Sequence, residues 1–190
     1  MDKLKVGFAM TGSFCTFEKA INQIEYFISK GAEIIPIMSF NAYSIDTRFG
    51  EAESFRSRIE SLTGNRIINS IKDAEPIGPK SLTDIMIVLP ASGNTIAKLA
   101  TGIYDTPVTL AVKSHLRNQK PVVIGVSSND SLSASAKNIG TLLNLKHYYF
   151  IPMKQDDPIK KPFSIVCDFD KAYVTAEYAL KDKQIEPIIF

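Results

Sequence analysis

The segment Ser92-Gly93-Asn94-Thr95 sets two hydroxyls, an amide and a glycine directly after an apolar run that ends at Pro90. Beyond it, Ile96, Leu99, Ala100 and Ile103 recur at the i, i+3, i+4, i+7 spacing of one helix face. A strand, a short polar loop and a helix in that order present hydroxyls and unpaired backbone N–H groups beyond the end of the strand. Such groups are donors for a phosphate or for the polar edge of a planar ring. Three other apolar runs are followed in the same way, by Thr11-Gly12-Ser13, Ser39-Phe40-Asn41 and Ser127-Ser128-Asn129. Each of these, taken alone, also reads as an ordinary helix cap.

The elements that must position these loops alternate along the whole chain. Strands are expected at Leu4 to Met10, Ile34 to Met38, Ile85 to Leu89, Val122 to Val126 and Tyr148 to Ile151. Between them, Phe17, Ala20, Ile21, Ile24 and Phe27 mark one helix face, closed by Gly31. Ala52, Phe55, Ile59 and Leu62 mark a second, closed at Gly64, and Val108, Ala111, Val112 and Leu116 a third. Leu132, Ala136, Ile139 and Leu143 are expected on the next helix, and Tyr173, Ala176 and Leu180 on the last. Strands that are apolar throughout, rather than alternating, belong to a parallel sheet covered on both faces. The expected fold is therefore a doubly wound three-layer α/β sandwich, flavodoxin- or Rossmann-like, with residues 1–190 forming one domain. In such sheets ligands bind beyond the carboxyl ends of the strands, where the strand order reverses. The four polar loops then share one rim, rich in hydroxyls and amides and poor in charge, which suits a flavin mononucleotide (FMN). No G-x-G-x-x-G follows a strand, which argues against a dinucleotide site.

The bulk numbers exclude other classes. The chain has 190 residues, of which 45% are hydrophobic and 22% charged, and a net charge of +2. That is a globular composition with no dense Lys/Arg run, so nucleic-acid binding is not expected. No apolar stretch approaches the roughly 18–20 residues of a membrane span. MDKLKVGFAM runs straight into a strand without a signal-peptide pattern, and a cytoplasmic location is expected. Cys15 and Cys167 are far apart and read as free thiols; His115 and His147 stand alone, so no metal site is expected.

Pro90 through Ala100, followed by Gly102 and Asp105, resembles the flavin-binding segment of the flavoprotein family, which includes flavin-dependent cysteine decarboxylases, phosphopantothenoylcysteine decarboxylase and prenyl-flavin synthases. Gly7 through Ser13 resembles that family's first strand and phosphate-side loop. Four more stretches resemble the dipicolinate-forming branch of the family: Thr11 to Thr16, Asn41 to Gly50, Ala74 to Lys80 and Gln155 to Pro162. The resemblance implies FMN held by Gly12, Ser13, Phe14, Ser39, Asn41, Ser92, Gly93, Asn94, Thr95, Ser127, Ser128 and Asn129. It further implies oxidation of a dihydro or hydroxylated tetrahydro precursor to a planar pyridine dicarboxylate, in the mother cell of a spore-forming bacterium. A separate A subunit with a dinucleotide-binding domain is implied as partner. Trimers or larger homo-oligomers are implied as well, and the apolar Pro187-Ile188-Ile189-Phe190 and the aromatic Tyr148-Tyr149-Phe150 fit that state.

A dianionic substrate calls for a clamp of cations, arginine above all. Arg48, Lys160 and Lys161 are the candidates, with Asp156 and Asp157 as a base or as partners that hold the lysines. Lys98, on the helix after the flavin loop, is expected to face solvent or a neighbouring protomer, and Cys15 to lie near the flavin or to pack as a plain thiol. The early histidine of the cysteine decarboxylases is missing, and so is their P-x-M-N-x-x-M-W segment, since the chain has no tryptophan. Decarboxylation is thus the weaker alternative; a non-catalytic flavin-binding support for the A subunit is the other.

Overall fold

The computed structural model describes residues 3–190. Five parallel strands form the centre: β1 (Lys5–Met10), β2 (Glu33–Met38), β3 (Ile85–Ala91), β4 (Val122–Ser128) and β5 (Tyr148–Phe150), in the order β2-β1-β3-β4-β5. Every residue of β3 is buried, as is β1 beyond Lys5. This is the covered-on-both-faces condition that their unbroken apolar runs imply.

Helices α1 (Phe17–Ser29), α3 (Ala52–Thr63) and α8 (Ala172–Ala179) pack together on one side. Helices α4 (Ile71–Ala74), α5 (Gly93–Thr101), α6 (Pro107–Leu116) and α7 (Ala136–Leu143) pack on the other. The expected face of α1 is the buried one, with Phe17, Ala20, Ile21, Ile24 and Phe27 in the core. Helix α3 closes at Gly64 (φ 68°) as expected, in a backbone conformation that favours glycine. Helix α5 stops at Thr101 with Gly102 (φ 73°) as its cap in the same conformation, so Ile103, expected on its face, lies beyond it and is exposed. Thr106 and Thr109 cap α6 reciprocally, with Pro107 in its first turn.

The sheet departs from the expected all-parallel form at one edge. Met153–Asp157 (β6) and Lys161–Cys167 (β7) form an antiparallel hairpin, and β7 pairs with the carboxyl end of β4 through Ser127↔Val166 and Ser128↔Ile165. Strand β4 is thus shared: its first half pairs with β5, its last residues with β7. Gln155 to Pro162, a stretch for which no strand is expected, lies within this hairpin. In β6 only Met153 is buried, so its polar Lys154-Gln155-Asp156-Asp157 carries no strand pattern.

Three smaller differences have local causes. Strand β3 continues through a cis Leu89–Pro90 bond to Ala91, and its register against β4 shifts there. Residues 130–135 are turns rather than the start of α7, because the Leu132 N–H is drawn to Phe163 O (3.0 Å) and Ser135 to Asp130; Leu132 and Leu143 are exposed. Phe40–Ser44, whose first residues are expected in the polar loop after the second strand, is a short helix, α2, capped by Ser39. Tyr148 to Phe150 are buried as β5, so the strand accounts for that aromatic run. The segment 188–190 is zipped to Met153, whose N–H donates to Ile188 O (2.8 Å) while Phe190 N–H donates to Met153 O (3.3 Å). Among the described residues no helix is long and apolar enough to cross a membrane.

His115 is a core histidine. Its Nδ1 lies 2.7 Å from Thr83 Oγ1 and its Nε2 3.0 Å from Pro121 O, so the neutral ring accepts from the threonine and donates to the carbonyl. Burial, the largest cause, pushes its pKa down to about 4. The unfolded chain takes up this proton near pH ~6.5 and the folded chain does not. Stability is therefore whole above that value and falls as the pH drops towards the folded pKa, by about 3 kcal/mol in total. In thermal melts from pH 7 to pH 4, His115→Gln should flatten this acid limb; an unchanged limb would refute the assignment.

Candidate functional site

Strand β1 lies between β2 and β3, so the chain leaves it in one direction along the sheet and returns on its other side. Beyond the carboxyl ends of β1 and β3 the two loops diverge, which is where a doubly wound sheet opens a crevice. Buried Thr11 fastens the floor of this crevice. Its Oγ1–H donates to Pro90 O (2.8 Å), its N–H to the same oxygen (3.2 Å), and its Oγ1 accepts from Ser92 N–H (2.9 Å). The carboxyl end of β4 is laced to both: Ser127 Oγ lies 2.8 Å from Ser13 Oγ, and Gly93 N–H donates to Ser128 Oγ (3.1 Å). The three strand ends border a half-open cavity of about 830 Å³.

Most of the residues singled out in the sequence converge on it. Gly12, Ser13 and Phe14 line it from β1; Ser92, Gly93 and Asn94 from β3; Ser127, Ser128 and Asn129 from β4. Arg48 reaches it from the turn after α2, and Asp156 and Lys161 from the β6–β7 hairpin. Five others, Ser39, Asn41, Thr95, Asp157 and Lys160, do not line it. Ser39 caps α2, accepting from Ala42 N–H (3.3 Å), and Asn41 sits exposed within that helix. Thr95 is buried with its Oγ1 3.2 Å from Ser92 Oγ. Lys160 is in the hairpin turn, its N–H on Asp157 Oδ1 (2.9 Å). Lys19, Phe49, Asp130 and Ser164 also line the cavity and are not among the residues the sequence singles out. Lys19 stands early in α1, directly after the first loop, and that placement is the available signal; Ser164 sits on β7, whose pairing the sequence hides.

The wall carries the cations Lys19, Arg48 and Lys161 against the carboxylates Asp130 and Asp156. Lys161 is paired with Asp156 at 2.6 Å, and that hydrogen bond, the largest cause, raises its pKa. Asp130 accepts from Ser128 Oγ–H (2.6 Å) and Ser135 Oγ–H (2.8 Å). Arg48 stacks over the Phe49 ring, 4.9 Å from its centroid, and takes part in none of the ion pairs among the described residues. Arg56 and Arg58, by contrast, are held by Glu53 and by Glu18 and Glu25. Lys98 is paired with Asp105 (2.6 Å), which lowers the aspartate's pKa, and it does not line the cavity.

The first turn of α5 supplies donors. Gly93 N–H is spent on Ser128, and Ser92 makes no side-chain cap, which leaves the N–H groups of Asn94 and Thr95 free of helix carbonyls. Cys15 lines the cavity and is exposed, whereas Cys167 is buried, with its thiol pKa pushed up by desolvation. Among the described residues no group of three His, Cys, Asp or Glu could hold a metal ion.

Known proteins share this sequence and this fold. The flavoprotein family model matches residues 1–184. The B subunit of dipicolinate synthase from Bacillus subtilis (strain 168) is 45% identical over 185 residues, which cover 97% of this chain and 92% of that protein. The crystal structure of the B subunit of dipicolinate synthase from Bacillus halodurans superposes with a TM-score of 0.91 at 38% identity, covering 100% of this chain and 98% of that one. Burkholderia xenovorans DmrB in complex with FMN, a cubic protein cage for redox transfer, shares the fold at a TM-score of 0.70 and 16% identity, over 94% and 96% of the two chains. With a family model spanning nearly its whole length and a relative at 45% identity, the chain belongs to the flavoprotein family.

Proposed function

We propose that this chain is the FMN-binding B subunit of a dipicolinate synthase, acting with an A subunit to oxidise a dihydro- or hydroxytetrahydrodipicolinate precursor to dipicolinate during sporulation, in the mother-cell cytoplasm. The observation that carries the reading is the cavity at the reversal point between β1 and β3, lined by three of the four loops expected to hold a flavin. Its donor set fits FMN. The Asn94 N–H group, the Ser92 hydroxyl and one of the paired Ser13 and Ser127 hydroxyls offer neutral donors to a phosphate or to the ring's polar edge. A volume of about 830 Å³ is ample for a cofactor with a small acid beside it.

Bound FMN would supply the acceptor for a hydride. The chain's own residues would do the rest. Arg48 has no carboxylate partner among the described residues and would take a substrate carboxylate in a two-pronged contact. Lys19 and Lys161 face the same cavity and would share the second carboxylate; Asp156 would steady Lys161. Lys160, in the hairpin turn, drops out of the clamp. The relatives' names support the assignment to a two-component synthase, and a homo-oligomer, trimeric or a multiple of it, completes the proposal.

The experiment is direct. The purified chain, alone and with an A subunit, is assayed for flavin absorbance and for dipicolinate formation. A yellow protein that forms dipicolinate with A supports the reading. A colourless protein that FMN cannot reconstitute rejects it, and a flavin-loaded chain whose removal leaves dipicolinate formation by A unchanged reduces it to a support role.

A further inference from the structure

Asp130 is the lining carboxylate that the clamp does not use, and its contacts lead through Ser128 to the first turn of α5. An ionised carboxylate only accepts hydrogen bonds. Both flanking hydroxyls must therefore donate to it: Ser128 Oγ–H to Oδ1 at 2.6 Å and Ser135 Oγ–H to Oδ2 at 2.8 Å. With its proton committed, Ser128 Oγ offers only lone pairs to its other neighbour, and Gly93 N–H donates to it at 3.1 Å. One carboxylate thus fixes the direction of a chain that runs from the loop after β4 to the first turn of α5. The fit is close: a Cβ on Gly93 would lie 2.4 Å from Asp130 Oδ1, so the negative charge sits against the positive end of the α5 dipole.

We infer that Asp130 is a positioning residue for the cofactor: by orienting Ser128 it consumes the Gly93 N–H and holds the α5 first turn so that Asn94, with its N–H free of helix carbonyls, lines the cavity. The consequence for binding rests on the FMN reading; the consequence for the α5 first turn does not. Asp130 touches neither reacting atom, and its role is exerted through Ser128 and Gly93.

Two measurements on the full chain test this, one of them independent of flavin. In flavin-free protein, amide hydrogen exchange at Gly93 should be at least about tenfold faster in Asp130→Ala than in the wild type, because Ser128 is released to rotate. Asp130→Asn keeps a carbonyl oxygen for Ser128, while the Ser135 hydroxyl can turn to accept from the new amide, so it should restore protection to within about threefold. In the second measurement, titration of FMN itself should show half-saturation raised about tenfold or more in Asp130→Ala and recovered in Asp130→Asn. Unaltered Gly93 exchange in Asp130→Ala overturns the inference. So does an Asp130→Asn variant as impaired as the alanine, which would make the charge and not the acceptor geometry the active property. If the wild type takes up no FMN while the exchange pattern follows expectation, the FMN reading fails and the role of Asp130 in ordering α5 stands.

Discussion

Gly93→Ala should destabilise the protein by about 1–3 kcal/mol, and Gly140→Ala should not. Both are helix glycines, and a helix gains up to about 1 kcal/mol when glycine becomes alanine in open space. At Gly140 nothing lies within 4 Å of the new methyl, so that gain is expected in full. At Gly93 the methyl would come within 2.4 Å of Asp130 Oδ1, 2.7 Å of Ser128 Oγ and 2.9 Å of Ser135 Oγ. None of those atoms can retreat cheaply, because each is committed to the others by the bonds that close the loop after β4. Relief means breaking at least one bond to a charged group, which costs about 1.5–3 kcal/mol. For a chain of this size the melting temperature should fall by several degrees, at about 2–4 °C per kcal/mol, and rise slightly in Gly140→Ala. FMN uptake should fall in parallel, since the shifted α5 turn carries the cavity-lining Asn94 N–H group. Equal melting temperatures for the two variants would contradict this packing.

The contrast between these glycines also shows which parts of the molecule can be read from sequence. The five parallel strands announce themselves, because a strand buried on both faces must be apolar at every position, as Ile85 to Leu89 is. The polar loops beyond them are legible for the complementary reason: a parallel sheet leaves only its strand ends to meet a ligand, so hydroxyls and amides concentrate there. The β6–β7 hairpin is not legible. Lys154 to Asp157 form an edge strand whose side chains face solvent, so it alternates nothing and buries only Met153. Its attachment is decided elsewhere, by Ser127 and Ser128 of β4, whose backbone is left over once short β5 ends at Phe150. Lys160 and Lys161 are equivalent in sequence, and the hairpin register alone separates them, turning Lys161 onto β7 and leaving Lys160 in the turn. Asp130 directly follows a recognisable loop and still carries no signal of its own. Its meaning comes from Ser135 and Gly93, one five residues on and the other 37 residues back, and no local pattern joins them.

Arg48→Ala should cost the greatest share of substrate affinity of any single lining cation while leaving flavin absorbance intact. The guanidinium is carried by a tight turn in which the Thr47 and Gly50 N–H groups each donate to the other residue's carbonyl at 3.1 Å, and it stacks on Phe49. It is therefore held in place without being neutralised. Lys161 is the opposite case, since Asp156 already occupies it at 2.6 Å and a substrate must compete with that carboxylate. A charge-assisted two-pronged contact to a carboxylate contributes about 1.5–3 kcal/mol, or roughly 10- to 150-fold in affinity. An exposed pair such as Lys161–Asp156 is screened by solvent and contributes far less. Binding of dipicolinate to the flavin-loaded chain, followed by the perturbation of the flavin spectrum, should thus weaken about 10- to 100-fold in Arg48→Ala and only a few-fold in Lys161→Ala. Arg48→Lys should fall between them, because the ammonium keeps the charge and loses the planar fork. If Arg48→Ala binds the dianion as the wild type does, the clamp lies elsewhere on the wall and Lys19 becomes the first residue to replace. If instead the variant loses its flavin, Arg48 belongs to the cofactor and not to the substrate.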